Sequence, residues 1–206
     1  MITNMPGHQY ADRTSAGDAL ADALAYYRGA DVLVLGLPRG GVPVAARVAE
    51  ALGGELDVIV ARKLPSPISR ELAIGAITAD GEHYLNEGLI SELAVSDTFL
   101  AAVTGVQRAE ARKRERDLRG TRPAPRITGR IVILVDDGLA TGATMHAVVR
   151  SIRKQRPARL IVAVPVGSRE ACEALANEAD EVVCPWQPES FGAVGLYYQN
   201  FVQTSD

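Results

Sequence analysis

The stretch Ile131-Val132-Ile133-Leu134-Val135-Asp136-Asp137-Gly138-Leu139-Ala140-Thr141-Gly142-Ala143-Thr144 passes from five apolar residues, through two adjacent carboxylates, into a loop of small and hydroxylated residues. An unbroken run of mostly β-branched residues suits a central parallel strand buried on both faces. Gly138 and Gly142 allow the backbone geometry of a tight phosphate-cradling turn, and from Thr144 the pattern becomes helical. A phosphate in that turn would meet free backbone N–H groups and the positive end of a helix dipole, with the hydroxyls of Thr141 and Thr144 as further donors. Asp136 and Asp137 would repel a bare phosphate. They suit a ligand that also carries hydroxyls, because carboxylates accept strong hydrogen bonds from a vicinal diol. Phosphate and diol on one small molecule describe a ribose 5-phosphate. The loop lacks the Gly-Lys-Ser/Thr ending of a P-loop, and its two glycines do not form a Gly-x-Gly-x-x-Gly dinucleotide turn.

Outward from this stretch, apolar runs at 32–37, 58–61, 160–164 and 181–184 alternate with helix-like segments at 17–27, 42–52, 91–118, 144–155 and 168–177. That alternation predicts an α/β fold with a doubly wound, mostly parallel sheet. The pattern changes between 63 and 86. Pro65, Ser66, Pro67 and Ser69 mark a loop, and residues 74–85 read as a hairpin turning at Asp80-Gly81. The charged run 108–119 reads as a solvated helix face with i,i+4 pairs.

At 206 residues the chain suits one domain, 1–206, with a lid and hairpin insertion at 63–86 and a C-terminal segment at 184–206. A formal net charge of −3 argues against nucleic acid as the main partner. No apolar run approaches the ~18 residues a membrane span needs, and residues 1–17 show no secretory pattern, so a cytoplasmic location is expected and no membrane partner. Cys172 and Cys184 are too few for a disulfide scaffold, and His8, His83 and His146 form no helical metal-ligand pair. No protein-held metal site is expected.

Residues 135–144 resemble the phosphoribosyl pyrophosphate (PRPP) signature of the type I phosphoribosyltransferases. In that family an acidic pair binds the ribose 2′ and 3′ hydroxyls and the loop that follows binds the 5-phosphate. The resemblance assigns Asp136 and Asp137 to the ribose, and Gly138, Ala140, Thr141, Gly142, Ala143 and Thr144 to the phosphate. A second loop, Leu35-Gly36-Leu37-Pro38-Arg39-Gly40-Gly41, follows the first strand. Read alone it is an ordinary turn. It would share the C-terminal sheet edge with the acidic loop, where ligands collect in open parallel sheets, and there it resembles the family's pyrophosphate loop. Arg39, Gly40 and Gly41 would then contact the leaving group. Arg62 and Lys63, followed by a Pro/Ser loop, resemble the family's pyrophosphate-contacting lysine and a mobile lid that would exclude water from an oxocarbenium-like transition state. Glu71 is carried as a candidate on that lid.

The segment around Trp186 and Phe191 is similar in outline to the hood that sandwiches the base in purine enzymes. Its spacing departs from theirs, and no lysine lies in 164–184 to read a purine oxygen. From about residue 32 onward the chain resembles stand-alone bacterial phosphoribosyltransferases whose acceptor is not established. The resemblance implies displacement at C1 of the ribose. Mg2+ would be bound mainly through PRPP, an acceptor nitrogen of unidentified origin, with a nucleobase as one candidate, would attack, and pyrophosphate would leave. Arg39, Lys63, Glu71 and the acidic pair are the residues expected to act on the reaction. Two alternatives remain open: a non-catalytic PRPP- or nucleotide-sensing regulator on the same fold, and an enzyme that splits a nucleotide in the reverse direction. Homodimerisation is expected from the resemblance and from the apolar stripe Leu93, Phe99, Leu100, Val103 and Val106.

Overall fold

The computed structural model describes residues 9–204. His8, the first part of the leader reading and the last two residues of the C-terminal segment lie outside the described residues.

Five parallel strands form the central sheet: β1 (Val32–Gly36), β2 (Glu55–Val58), β6 (Ile131–Val135), β7 (Arg159–Ala163) and β8 (Glu181–Val183), in the order β2-β1-β6-β7-β8. The all-apolar strands β1 and β6 sit inside it, where both faces are covered. Leu33, Leu35, Val132 and Leu134 join one core with α5 (Ala143–Lys154) and α6 (Arg169–Leu175). Val34, Ile133 and Val135 join the other with α1 (Arg13–Ala23) and α2 (Gly41–Leu52). This is the doubly wound arrangement that the apolar runs predict.

An inserted antiparallel sheet, β3-β4-β5, comprises β3 (Ala61–Pro65), β4 (Ala73–Thr78) and β5 (His83–Leu85). The hairpin expected at 74–85 is β4–β5, with Gly81 at a φ of 107° in its turn. The strand expected at 58–61 is instead the junction between two strands. β2 ends at Val58, and β3 begins at Ala61 in the other sheet. The true edge strand was obscured because Glu55 and Asp57 interrupt its apolar pattern. Asp57 is buried yet paired, its Oδ2 lying 3.1 Å from Arg119 Nε, which relieves much of the cost of removing a carboxylate from water.

The helix expected over 91–118 is two helices, α3 (Glu87–Glu92) and α4 (Asp97–Arg119). Ala94 at a φ of 48° breaks the path, and Ser96 restarts it by accepting a hydrogen bond from Phe99 N at 3.2 Å. Four residues of the predicted dimer stripe, Leu93, Phe99, Leu100 and Val103, pack instead onto Leu64, Ile74 and Ile77 of the inserted sheet. Only Val106, 59% exposed, faces out. The stripe is thus an internal contact and gives no support to a dimer. The charged run of α4 does carry i,i+4 pairs, Lys113–Asp117 at 3.0 Å and Glu115–Arg119 at 2.9 Å. It also holds the hairpin: Arg108 and Arg112 donate to the carbonyls of Asp80 and Ala79 at 2.7 and 2.8 Å.

The first helix begins four residues earlier than expected, at Arg13, and ends at Ala23, with a 3-10 turn over Ala25–Tyr27. Asp12 and Ser15 form a reciprocal capping box there. Among the described residues no helix is long and apolar enough to cross a membrane.

Candidate functional site

Strands β1 and β6 end side by side, with Gly36 paired to Val135, so the loops that follow them meet at one sheet edge. Leu37 N donates to Val135 O at 2.9 Å and fixes the first loop against the second. The contact is closer than a shared crevice requires. A Cβ on Gly41 would lie 2.6 Å from Val135 O and 2.8 Å from Asp136 Cα, and one on Gly40 would overlap the Asp137 carboxylate. The glycine pair is therefore needed first to bring Pro38-Arg39 against the acidic pair. Room for an anion is a consequence. The Pro38–Arg39 peptide bond is cis.

Beyond Asp137 the chain forms the turn that the glycines predict. Gly142 caps α5 at a φ of 77°. Leu139 N donates to Val166 O and His146 N to Gly142 O, both at 2.9 Å. Among the described residues, the backbone N–H groups of Ala140, Thr141, Gly142, Ala143 and Thr144 meet no acceptor. Five donors at a helix N-terminus make a cradle for an anion. Gly138 is required for another reason, because a Cβ there would collide with Val194 of the C-terminal segment.

The carboxylates are electrostatically loaded. Burial, and next the adjacent Asp137 charge, push the Asp136 carboxyl well above the usual carboxylate range. Asp136 Oδ1 accepts from Asp137 N at 2.9 Å. Asp137 is also raised by burial, with Arg13 pulling in the opposite direction. Arg13, the first residue of α1, places Nε 2.8 Å from Asp137 Oδ2. Sequence reasoning missed Arg13. The Asp12-x-x-Ser15 capping pattern could have located its helix start, but nothing local connects it to a carboxylate 124 residues away.

Strand alternation separates the two predicted cations on β3. Lys63 lies on the side of the acidic pair, and its charge lowers the Asp136 pKa. Arg62 turns the other way, its Nε 3.3 Å from Gln107 Oε1 on α4. With Pro38 and Arg39 of the glycine loop and Lys113 and Arg114 of α4 it lines a polar cleft of about 280 Å3. The lid expected from residue 63 onward is shorter than predicted. Lys63 is within β3, and the loop spans 66–72, closed by Ser66 N to Leu72 O at 2.8 Å and Ser66 Oγ to Ser69 O at 3.0 Å. Glu71 is exposed on this loop, its N–H on Ser69 Oγ at 3.2 Å. Among the described residues it makes no bond to the acidic pair or the glycine loop.

Trp186 and Phe191 belong to an aromatic cluster. Phe191 stacks on Tyr197 with centroids 5.0 Å apart, while Trp186 meets Tyr197 and Tyr10 edge-on at 4.9 and 5.8 Å. The cluster reaches the site through Tyr198, whose hydroxyl donates to Asp137 O at 2.5 Å. Cys172 and Cys184 are free thiols, distant in sequence but neighbours across Gly167.

This arrangement of acidic pair, phosphate turn and glycine loop coincides with a family match. Residues 11–199 match the phosphoribosyl transferase domain. The chain belongs to that family. Two phosphoribosyltransferase relatives from Mycobacterium tuberculosis, strains CDC 1551 and H37Rv, each named "Putative phosphoribosyl transferase", are 45% identical over 197 residues, covering 96% of this chain and 44% of theirs. The chain thus spans less than half the length of these relatives. A crystal structure of TT1426 from Thermus thermophilus superposes with a TM-score of 0.77 at 45% identity, covering 94% of this chain and 92% of that one. A purine phosphoribosyltransferase from Pyrococcus horikoshii shares the phosphoribosyltransferase fold at 18% identity, with a TM-score of 0.51 and coverage of 94% and 93%.

Proposed function

We propose that this chain transfers the 5-phosphoribosyl group of PRPP to a nitrogen acceptor and releases pyrophosphate. The observation that carries the reading is the placement of two half-buried carboxylates between a turn with five unused N–H donors and a glycine loop pressed against them. A ribose carrying phosphate at one end and pyrophosphate at the other matches that order of groups.

In this reading Asp136 and Asp137 accept hydrogen bonds from the ribose 2′ and 3′ hydroxyls. The turn 140–144 holds the 5-phosphate, and Arg39, Gly40 and Lys63 face the pyrophosphate. The acceptor nitrogen's lone pair forms a bond to C1 as the C1–O bond to pyrophosphate breaks, and the leaving group keeps that electron pair. The protein contributes fixed charge and position without a covalent nucleophile. Among the described residues no three His, Cys, Asp or Glu side chains converge to cage a metal ion. Mg2+ commonly binds through substrate phosphates and water, so the donor set fits an ion carried in by PRPP and held by ligand oxygens. When bound it neutralises charge on the leaving pyrophosphate.

The test is pyrophosphate release from PRPP across a panel of nucleobases and other nitrogen acceptors, run beside PRPP calorimetry. Binding together with release for at least one acceptor is expected. PRPP binding without release for any acceptor would favour the sensing regulator, and no PRPP binding would overturn the reading.

A further inference from the structure

Arg13 reaches the acidic pair from α1, and three groups fix it there. Its Nε donates to Asp137 Oδ2 at 2.8 Å, its Nη1 donates to Val202 O at 2.8 Å, and its guanidinium lies over the Phe201 ring at 3.9 Å from the centroid. The two charged side chains are only 12% and 14% exposed, so their attraction is screened much less than that of a surface pair. Among the described residues no other cation forms an ion pair with either carboxylate of the pair.

We propose that Arg13 is a positioning residue of the ribose site, holding the Asp137 carboxylate in place while Phe201 and the Val202 carbonyl hold the guanidinium from behind. The proposal rests on the reading that the acidic pair binds ribose. Arg13 takes Oδ2 of Asp137 and leaves Oδ1 to the ligand. Two adjacent carboxylates removed from water favour protonation of one of them, and a protonated Asp137 would accept weaker bonds from a sugar hydroxyl. The groups facing Asp137 are Asp136 beside it, Arg13 from α1, the backbone of Gly40, and Tyr198 on its carbonyl, with Lys63 of β3 acting on Asp136. Arg13 is the cation among these that touches Asp137 itself. Its removal therefore lets burial and Asp136 raise the Asp137 pKa further, and PRPP binding is lost at a higher pH as the solution is acidified.

The test compares wild type with Arg13→Gln, which keeps hydrogen-bond donors and removes charge, and Arg13→Lys, which keeps charge. PRPP affinity with Mg2+ is measured by calorimetry between pH 5 and 8, where the titration of PRPP itself is common to all three. Expected are about tenfold weaker binding of Arg13→Gln at neutral pH, as the hydrogen bond from the sugar to a misplaced Asp137 weakens, and an acid limb moved upward, with Arg13→Lys restoring much of the limb. A purely structural role would not move that limb. Unchanged affinity and limb in Arg13→Gln, or tighter binding, would overturn the proposal. If Arg13→Gln does not fold, Phe201→Leu carries the test: a smaller upward move of the limb supports the role, and an unchanged limb overturns it. Failure of wild type to bind PRPP would instead remove the ribose reading, and this proposal with it.

Discussion

The glycine-loop half of the crevice and its aromatic half are assembled differently. Loops 37–41 and 136–144 each come from one contiguous stretch and each directly follows a buried strand, and both depend on glycine, Gly40 and Gly41 for the close approach of the loops, Gly138 for room beside Val194 and Gly142 for its positive φ. The aromatic half draws Tyr10, Trp186, Phe191, Tyr197 and Tyr198 from both ends of the described chain, and these rings pack on one another. Contiguous, glycine-dependent geometry fixes a ligand's charged groups. Rings packed on one another define a wall whose specificity depends on how that wall opens. The donor is accordingly easier to infer than the acceptor.

Replacing both carboxylates gives the largest expected effect. Asp136→Asn with Asp137→Asn removes two charge-assisted hydrogen bonds, each worth roughly 1.5 to 3 kcal/mol, so PRPP binding should weaken by on the order of a hundredfold or more. The fold should persist with a lowered melt, because Asp137→Asn leaves the Arg13 guanidinium without its buried charge partner, a loss of about 3 to 5 kcal/mol. Because the folded protein raises the Asp136 pKa, the native state binds more protons than the unfolded state above the ordinary carboxylate range, and this carboxyl lowers stability as pH rises. Asp136→Asn alone should therefore melt at or above the wild-type temperature at neutral pH, with the difference closing as pH falls from above the usual carboxylate range down to it. A melt well below wild type at neutral pH would mean that the carboxylate is a structural group.

Gly40→Ala tests the close approach of the two loops. The added methyl must displace either the Asp137 carboxylate or the Pro38-Arg39 turn, and overpacking of this kind costs about 1 to 3 kcal/mol. PRPP affinity should fall by roughly tenfold or more, with a modest loss in the thermal melt. Affinity equal to wild type would show that the loops can separate without consequence to the ligand.

The smallest effect on the donor belongs to the aromatic half. Phe191→Leu removes the ring stacked on Tyr197, an interaction worth about 0.5 to 1.5 kcal/mol beyond its buried area. It should leave PRPP affinity within about threefold of wild type while changing the KM of whichever acceptor supports pyrophosphate release. A loss of PRPP affinity as large as that of the double Asn variant would erase the distinction between the two halves.

The sequence disclosed what depends on neighbours along the chain. Strand β6, its carboxylates and the glycine-capped start of α5 form one continuous pattern, so the fold class and the turn that opens α5 were both legible. Arg13 was not, because its partner is brought to it only by the packing of α1 beside the sheet. The inserted sheet was partly legible. The β4–β5 hairpin has its Asp80-Gly81 turn, whereas β3 reads as a charged loop, since Arg62, Lys63 and Pro65 suit an edge strand and disguise it. The single helix expected over 91–118 failed at Ser96-Asp97, an N-cap and acidic first turn placed inside a helical pattern. Arg62 and Lys63 were expected together at a strand end, but strand alternation sends their side chains to opposite faces, Arg62 into a cleft it shares with Arg39, while Glu71 stays exposed on the loop 66–72.

The central claim is that the acidic pair reads the ribose diol, and a cycle between ligand and protein tests it most directly. Calorimetry would compare ribose 5-phosphate with 2-deoxyribose 5-phosphate on wild type and on the Asp136→Asn, Asp137→Asn variant. Removing one hydroxyl from the sugar should weaken binding to wild type by about tenfold, the worth of one hydrogen bond to a charged group, and should make little difference to the variant. Equal discrimination between the two sugars by both proteins would contradict the account.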